Sequence, residues 1–141
     1  MKQILIFVLF SALLCWLLFS PIYKHVLIMR QAMIQKEVDY LLEIGTNASH
    51  GYISASMLNE SKERLERHGF EPSELNYVVS SVSGQPADNA AAPILRGDGI
   101  QLTISYPYDG LFMIDKLIGI SSSDDGGSMS ATGLQMSEYV P

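Results

Sequence analysis

The chain opens on sixteen residues, Ile4 to Phe19 (ILIFVLFSALLCWLLF), that no acidic or basic side chain interrupts. Leu, Ile, Phe and Val each favour bilayer insertion by roughly 0.3–0.6 kcal/mol, so this run predicts a membrane-spanning helix over residues 1–22. After Pro21 the helical spacing continues with a different character, in YKHVLIMRQAMIQKEVDYLLEIG. Set at the helical angle, Val26, Met29, Met33, Tyr40 and Ile44 form one apolar stripe, and Leu27, Ile34, Val38 and Leu41 form a second beside it. Arg30 and Glu37, seven apart, run along the seam, and Lys24, His25, Gln31, Gln35, Asp39 and Glu43 fall on the far side.

A helix from Ile4 to Gly45 would be about 63 Å long, against a hydrocarbon core ~30 Å thick. Half of it therefore needs cover from protein. One stripe suffices to dock a helix on its own domain; two predict either a broad core face or a neighbouring subunit. Pro21 lacks an amide donor, so a slight bend or a melted turn is expected there. Within the membrane run, Ser11 and Cys15 share a face at four-residue spacing, where small side chains let another helix approach closely.

Beyond the amphipathic segment, residues 23–45, the pattern predicts a small head over residues 46–141. Gly45 stops the helix and residues 46–51 connect. Ser54 or Ser56 caps a second helix, MLNESKERLERH, in which Glu60 and Glu63 suit the amino end and Arg64, Arg67 and His68 the other. Gly69 followed by Phe70 ends it, and Pro72 prevents resumption. From Leu75 the period becomes that of strands: Asn76 to Val82, then Ile100 to Tyr106, whose alternation puts Ile100, Leu102, Ile104 and Tyr106 on one face. Between them QPADNAAAP reads as a long exposed loop. Phe112 to Ile120 is a strand or a short helix, Ser121 to Ser130 a turn, and Ala131 to Val140 a closing strand. The fold class is α+β, a long membrane-spanning helix followed by one short helix and a three- to four-stranded antiparallel sheet.

Charge narrows the partners. The 141 residues carry a net charge of −6, and those from 46 onward hold five basic against twelve acidic residues, a balance of −7 that repels phosphate backbones and excludes nucleic acid. The single cysteine, Cys15, rules out an intrachain disulfide and a multi-cysteine zinc site. Leu14 before it is too large for a lipoprotein signal, and no small-x-small cleavage site precedes Pro21, so retention of the apolar segment is expected. Counting Lys24, Arg30 and Lys36 against Lys2 would leave the head in the cytoplasm, but Glu37 and Asp39 offset them, and the acidic head is expected outside.

Candidate chemistry is sparse. His25, His50 and His68 lack the short spacings of a metal site, no serine lies in a G-x-S-x-G elbow, and no phosphate loop or dinucleotide fingerprint occurs. Asp124-Asp125-Gly126-Gly127 reads as an acidic turn rather than a Ca²⁺ loop. Arg96-Gly97-Asp98 matches an adhesion tripeptide, but its glycine setting reads as turn chemistry before the strand at Ile100. Asn47-Ala48-Ser49 is formally a glycosylation acceptor, read here as a chance match. Neither an enzyme, a cofactor nor a metal is expected.

The order of parts resembles the lollipop layout of type IV pilins and pseudopilins, and within them the TadE-like proteins of tight-adherence pilus systems. The residues carrying the likeness are Leu41-Leu42-Glu43-Ile44-Gly45, Arg64-Leu65-Glu66-Arg67-His68-Gly69-Phe70, Gly99-Ile100-Gln101-Leu102-Thr103-Ile104-Ser105-Tyr106 and Gly133-Leu134-Gln135-Met136-Ser137-Glu138-Tyr139. It is a likeness of pattern across nearly the whole chain. Processed pilins carry a basic leader and a glutamate at the fifth mature position, whereas the fifth residue here is Leu5, so the chain either forgoes that processing or starts after its leader.

The resemblance implies a subunit held in the membrane and then packed, through its N-terminal helix, into an extracellular filament or its membrane-anchored initiating complex. Its partners would be copies of itself or other pilin-like subunits, membrane lipid, and a pilus or secretion assembly platform. The contact residues would be Val26, Leu27, Met29, Arg30, Met33, Ile34, Glu37, Val38 and Leu41, with Arg30 and Glu37 pairing between staggered neighbours and Ser11 and Cys15 contacting helices in the membrane. The alternative is a non-polymerising single-pass accessory protein of a secretion or adhesion machine.

Overall fold

A computed structural model describes residues 1–107 and 127–141. The segments read as Phe112–Ile120 and the Asp124–Asp125 turn lie outside the described residues. The elements are α1 (Lys2–Gly45), α2 (Ala55–Arg67), β1 (Asn76–Ser81), β2 (Gly99–Pro107) and β3 (Ser128–Met136). The chain divides into two compact units, Met1–Arg30 and Gln31–Pro141, with the boundary between them inside α1.

The first unit is helical from Lys2 onward, and the helix continues through Pro21 with no melted turn. The helix is long and apolar enough to cross a membrane, and none of its apolar stretch is buried in protein. Ser11 and Cys15 are both exposed on it.

The second unit is an α+β fold. Its strands form one antiparallel sheet in the order β1-β2-β3, with Val79 opposite Leu102 and Leu102 opposite Gly133. The alternation read in β2 is observed: Ile100, Leu102, Ile104 and Tyr106 are buried, while Gln101 between them is exposed. The same unit buries Ile34, Val38, Leu41 and Leu42 of α1, Ile53, Leu65 of α2, Phe70 and Leu75. Phe70 meets the Tyr106 ring edge-on, with centroids 5.0 Å apart.

Gly133 fixes how closely helix and sheet approach. A Cβ there would lie 2.6 Å from Leu42 Cδ1 and 2.7 Å from Val38 Cγ1, so a side chain on β3 at this point would push α1 off the sheet.

Local chemistry sets the element ends. Thr46 closes α1, its N–H and hydroxyl both donating to Leu42 O at 2.8 and 2.7 Å. Ser54, not Ser56, caps α2 by accepting from Met57 N at 3.3 Å. The helix starts at Ala55, so Glu60 and Glu63 lie beyond its first turn. Its other end is a Schellman motif: Gly69, at φ +84°, donates to Glu66 O, and Phe70 donates to Leu65 O.

Two loop readings are corrected. Ala87, within the segment read as exposed, is fully buried, and its carbonyl accepts from Ile53 N at 2.9 Å. The closing strand begins at Ser128, inside the expected turn, and ends at Met136. Past that point, Ser137 donates through Oγ to Ile94 O (2.6 Å) and through N to Asp98 O (2.9 Å), and Arg96 N donates to Tyr139 O (2.9 Å). The two backbone bonds keep the register that sets Gly99 opposite Met136, so the chain runs on beside residues 96–98 after the strand ends.

Burying an aliphatic side chain contributes about 1.5–3 kcal/mol, so Ile34, Val38, Leu41 and Leu42 together contribute roughly 6–12 kcal/mol, comparable to the whole stability of a small domain. A fragment of residues 31–141 is therefore expected to unfold cooperatively in urea, whereas residues 46–141 alone should give no cooperative transition. A sharp transition from the shorter fragment would show that the sheet holds its core without α1.

Candidate assembly surface

The two apolar stripes have different fates. Of the second, Ile34, Val38 and Leu41 are buried in the second unit's own core, and Leu27, in the first unit, is half-buried. Their assignment to contacts between subunits is corrected for the buried three: the sheet already fills the space around them. Leu42, placed on neither stripe by the sequence, belongs to that core as well, one turn beyond Val38.

Residues of the first stripe remain at the surface. In the first unit Val26 and Met29 are exposed, as are Ile22 and Ile28. In the second unit Tyr40 is exposed, and Met33 and Ile44 are half-buried. Arg30 is half-buried in the first unit.

Glu37 is engaged within the protomer. Its Oε1 accepts from Arg64 Nε at 3.0 Å and from Arg64 Nη2 at 2.6 Å, an intrachain partner for the glutamate expected to pair with Arg30 of a staggered neighbour. The Arg64 guanidinium also lies over the Tyr40 ring, 4.8 Å from its centroid, and 3.8 Å from Glu60 one turn earlier on α2. The hydrogen bond to Glu37 raises the Arg64 pKa above its ordinary value, against the opposing effect of burial, so this cation stays charged at every accessible pH. Beside it Ser61 Oγ and Tyr77 OH share a hydrogen bond of 2.9 Å, and burial pushes the Tyr77 phenol up. Together these contacts tie α1 to α2, and α2 to β1, by polar groups flanking the apolar core. Nothing in the sequence pairs residues 37 and 64, which lie 27 positions apart.

The adhesion tripeptide is absorbed into a turn. Asp98 Oδ2 accepts from Ser83 Oγ at 2.6 Å and Oδ1 from Gly99 N at 2.8 Å, and the Ser83 bond in particular draws its carboxyl below the usual carboxylate range. Both oxygens therefore have partners inside the protomer. Among the described residues no group of three or more His, Cys, Asp or Glu is placed to hold a metal ion.

Compared with protein-family models, characterised proteins and solved structures, the chain matches none.

The Glu37–Arg64 pair is open to a double-mutant cycle. Combining Glu37→Gln with Arg64→Met in the full chain is expected to give a coupling of about 1 kcal/mol in urea unfolding, at the upper end for a partly exposed pair. A coupling of zero would mean that the Glu37–Arg64 pair adds nothing to the seating of α2 on α1.

Proposed function

We propose that the chain is a single-pass bacterial membrane protein acting as a pilin-like or pseudopilin subunit, with its acidic second unit outside the cell. The observation that carries this reading is the exposed apolar surface of the first unit. Ile4 to Phe19 is exposed throughout, and exposed apolar side chains continue at Ile22, Val26, Ile28 and Met29. Lipid covers about 20 residues of a helix, so a span beginning near Ile4 leaves Val26, Ile28 and Met29 at or past its edge. Water exclusion at those positions then favours a protein neighbour, and copies of the same helix supply one. Assembly, rather than catalysis, is the work this surface suits. Partners of the same kind are other pilin-like subunits and the platform that extracts them from lipid.

One observation favours the second reading, a non-polymerising accessory protein. Ile34, Val38 and Leu41 are taken up by the protomer's own core, which leaves a narrower contact surface than two free stripes would provide.

The two readings differ in what Val26→Asp and Met29→Asp do together. For a subunit, the doubly substituted full chain should still insert and fold but be lost from sheared filaments, at least tenfold relative to the unsubstituted chain, since two charges must be desolvated in a packed helix contact. Filaments retained at the original level, or a membrane-bound 1:1 complex in place of filaments, would contradict the subunit reading.

A further inference from the structure

Charge is segregated along the chain. Residues 1–36 hold four basic residues, Lys2, Lys24, Arg30 and Lys36, and no acidic one, whereas residues 37–141 hold fifteen acidic and five basic. In the first unit Lys2 and Lys24 stand at opposite ends of the uncharged run. The helix between them is unbroken, so they lie about 33 Å apart along its axis, against a hydrocarbon core ~30 Å thick. With the run between them filling that core, each ammonium reaches headgroup depth.

The neighbours of Lys24 suit the same depth. His25 follows it and Tyr23 precedes it; Lys24 and His25 are exposed, and Tyr23 is half-buried. Consecutive residues of an α-helix project roughly 100° apart, so phenol, ammonium and imidazole leave three different sides of the helix at one level. A protein neighbour docks along one side only. A layer of lipid headgroups surrounds the helix and meets every side. Tyrosine beside lysine is also the composition that layer favours, with the ring at the acyl boundary and the cation among phosphates.

We propose that Tyr23, Lys24 and His25 form a collar for anionic phospholipid headgroups, in which the Lys24 ammonium and a His25 ring N–H donate to phosphate oxygens. Charge sets the sign of the partner. The first carboxylate in the chain is Glu37, so nothing acidic within the first unit neutralises Lys24. A zwitterionic headgroup brings its own cation beside the phosphate, and an anionic one does not, which gives the collar its preference. The acidic surface of a second copy is the competing anion, but from one side of the helix it meets Lys24 or His25 and not both. Held at this level, the collar fixes the depth of the helix and leaves Val26, Ile28 and Met29 beyond the lipid. The inference rests on the membrane-spanning part of the reading proposed above, and names the lipid class that the helix takes as its partner.

Trp16, the single tryptophan, is exposed in the apolar run about two turns before Lys24, so its fluorescence reports which acyl chains surround the helix there. The test places the full chain in phosphatidylcholine vesicles carrying a minor share of one lipid brominated on its acyl chains. Brominated phosphatidylglycerol should quench Trp16 at least about twofold more than the same share of brominated phosphatidylcholine, and high salt should shrink the excess. Lys24→Gln with His25→Gln should remove the excess, Lys24→Arg should retain it, and Lys2→Gln, in the other leaflet, should leave it unchanged. Equal quenching by the two lipids, or an excess that survives the double substitution, would overturn the proposal. So would equal quenching with filaments lost on Lys24→Gln, which assigns Lys24 to the carboxylates of a second copy. Filaments lost on Val26→Asp and Met29→Asp beside equal quenching would overturn the collar alone. An intact excess with filaments indifferent to those substitutions would support the collar and overturn the subunit reading. No quenching by either lipid would overturn the membrane span and the collar with it.

Discussion

The close approach of α1 to the inner face of the sheet organises the second unit. Val38 and Leu42 sit within van der Waals reach of the Gly133 backbone, opposite Leu102 on the central strand, and Ile34 and Leu41 complete the same buried surface. A side chain at residue 133 would hold helix and sheet apart, and the gap would expose apolar surface on both. The polar contacts around it follow from that seating. Arg64 meets Glu37 and Tyr40 at the flank, Thr46 closes the helix on Leu42, and Glu138 N donates to Thr46 O at 2.8 Å, tying the C-terminal segment to the helix end.

This arrangement changes what α1 has to offer a partner. Residues that a helical projection presents as a second free stripe are consumed in folding, and the glutamate on the seam is consumed with them. What stays exposed is the apolar helix of the first unit and, separately, the charge-free outer face of the sheet.

Much of the fold was legible because it depends on short-range chemistry. Strict alternation marked Ile100, Leu102, Ile104 and Tyr106; the Gly69-Phe70 pair marked the end of α2; the apolar run marked the first unit. Long-range contacts were not legible. Projection of residues 24–45 gives angles but not which angle meets the sheet, so Ile34, Val38 and Leu41 could not be separated from Val26, Met29 and Tyr40. Alanine in QPADNAAAP gave no sign that Ala87 is buried, since its burial follows from the bond between its carbonyl and Ile53. Ser128–Ser130 read as turn because serine and glycine surround them, although pairing with Ser105 to Pro107 makes them strand.

Native-state hydrogen exchange on the full chain in micelles tests most directly whether residues 31–45 belong to the core they cover. The amides of Ile34, Val38 and Leu41 should exchange only through the same global opening that releases Ile100, Leu102 and Ile104, with the same free energy and the same dependence on denaturant. Exchange of those helix amides through a separate, lower-energy opening, with the strand amides still protected, would contradict the account.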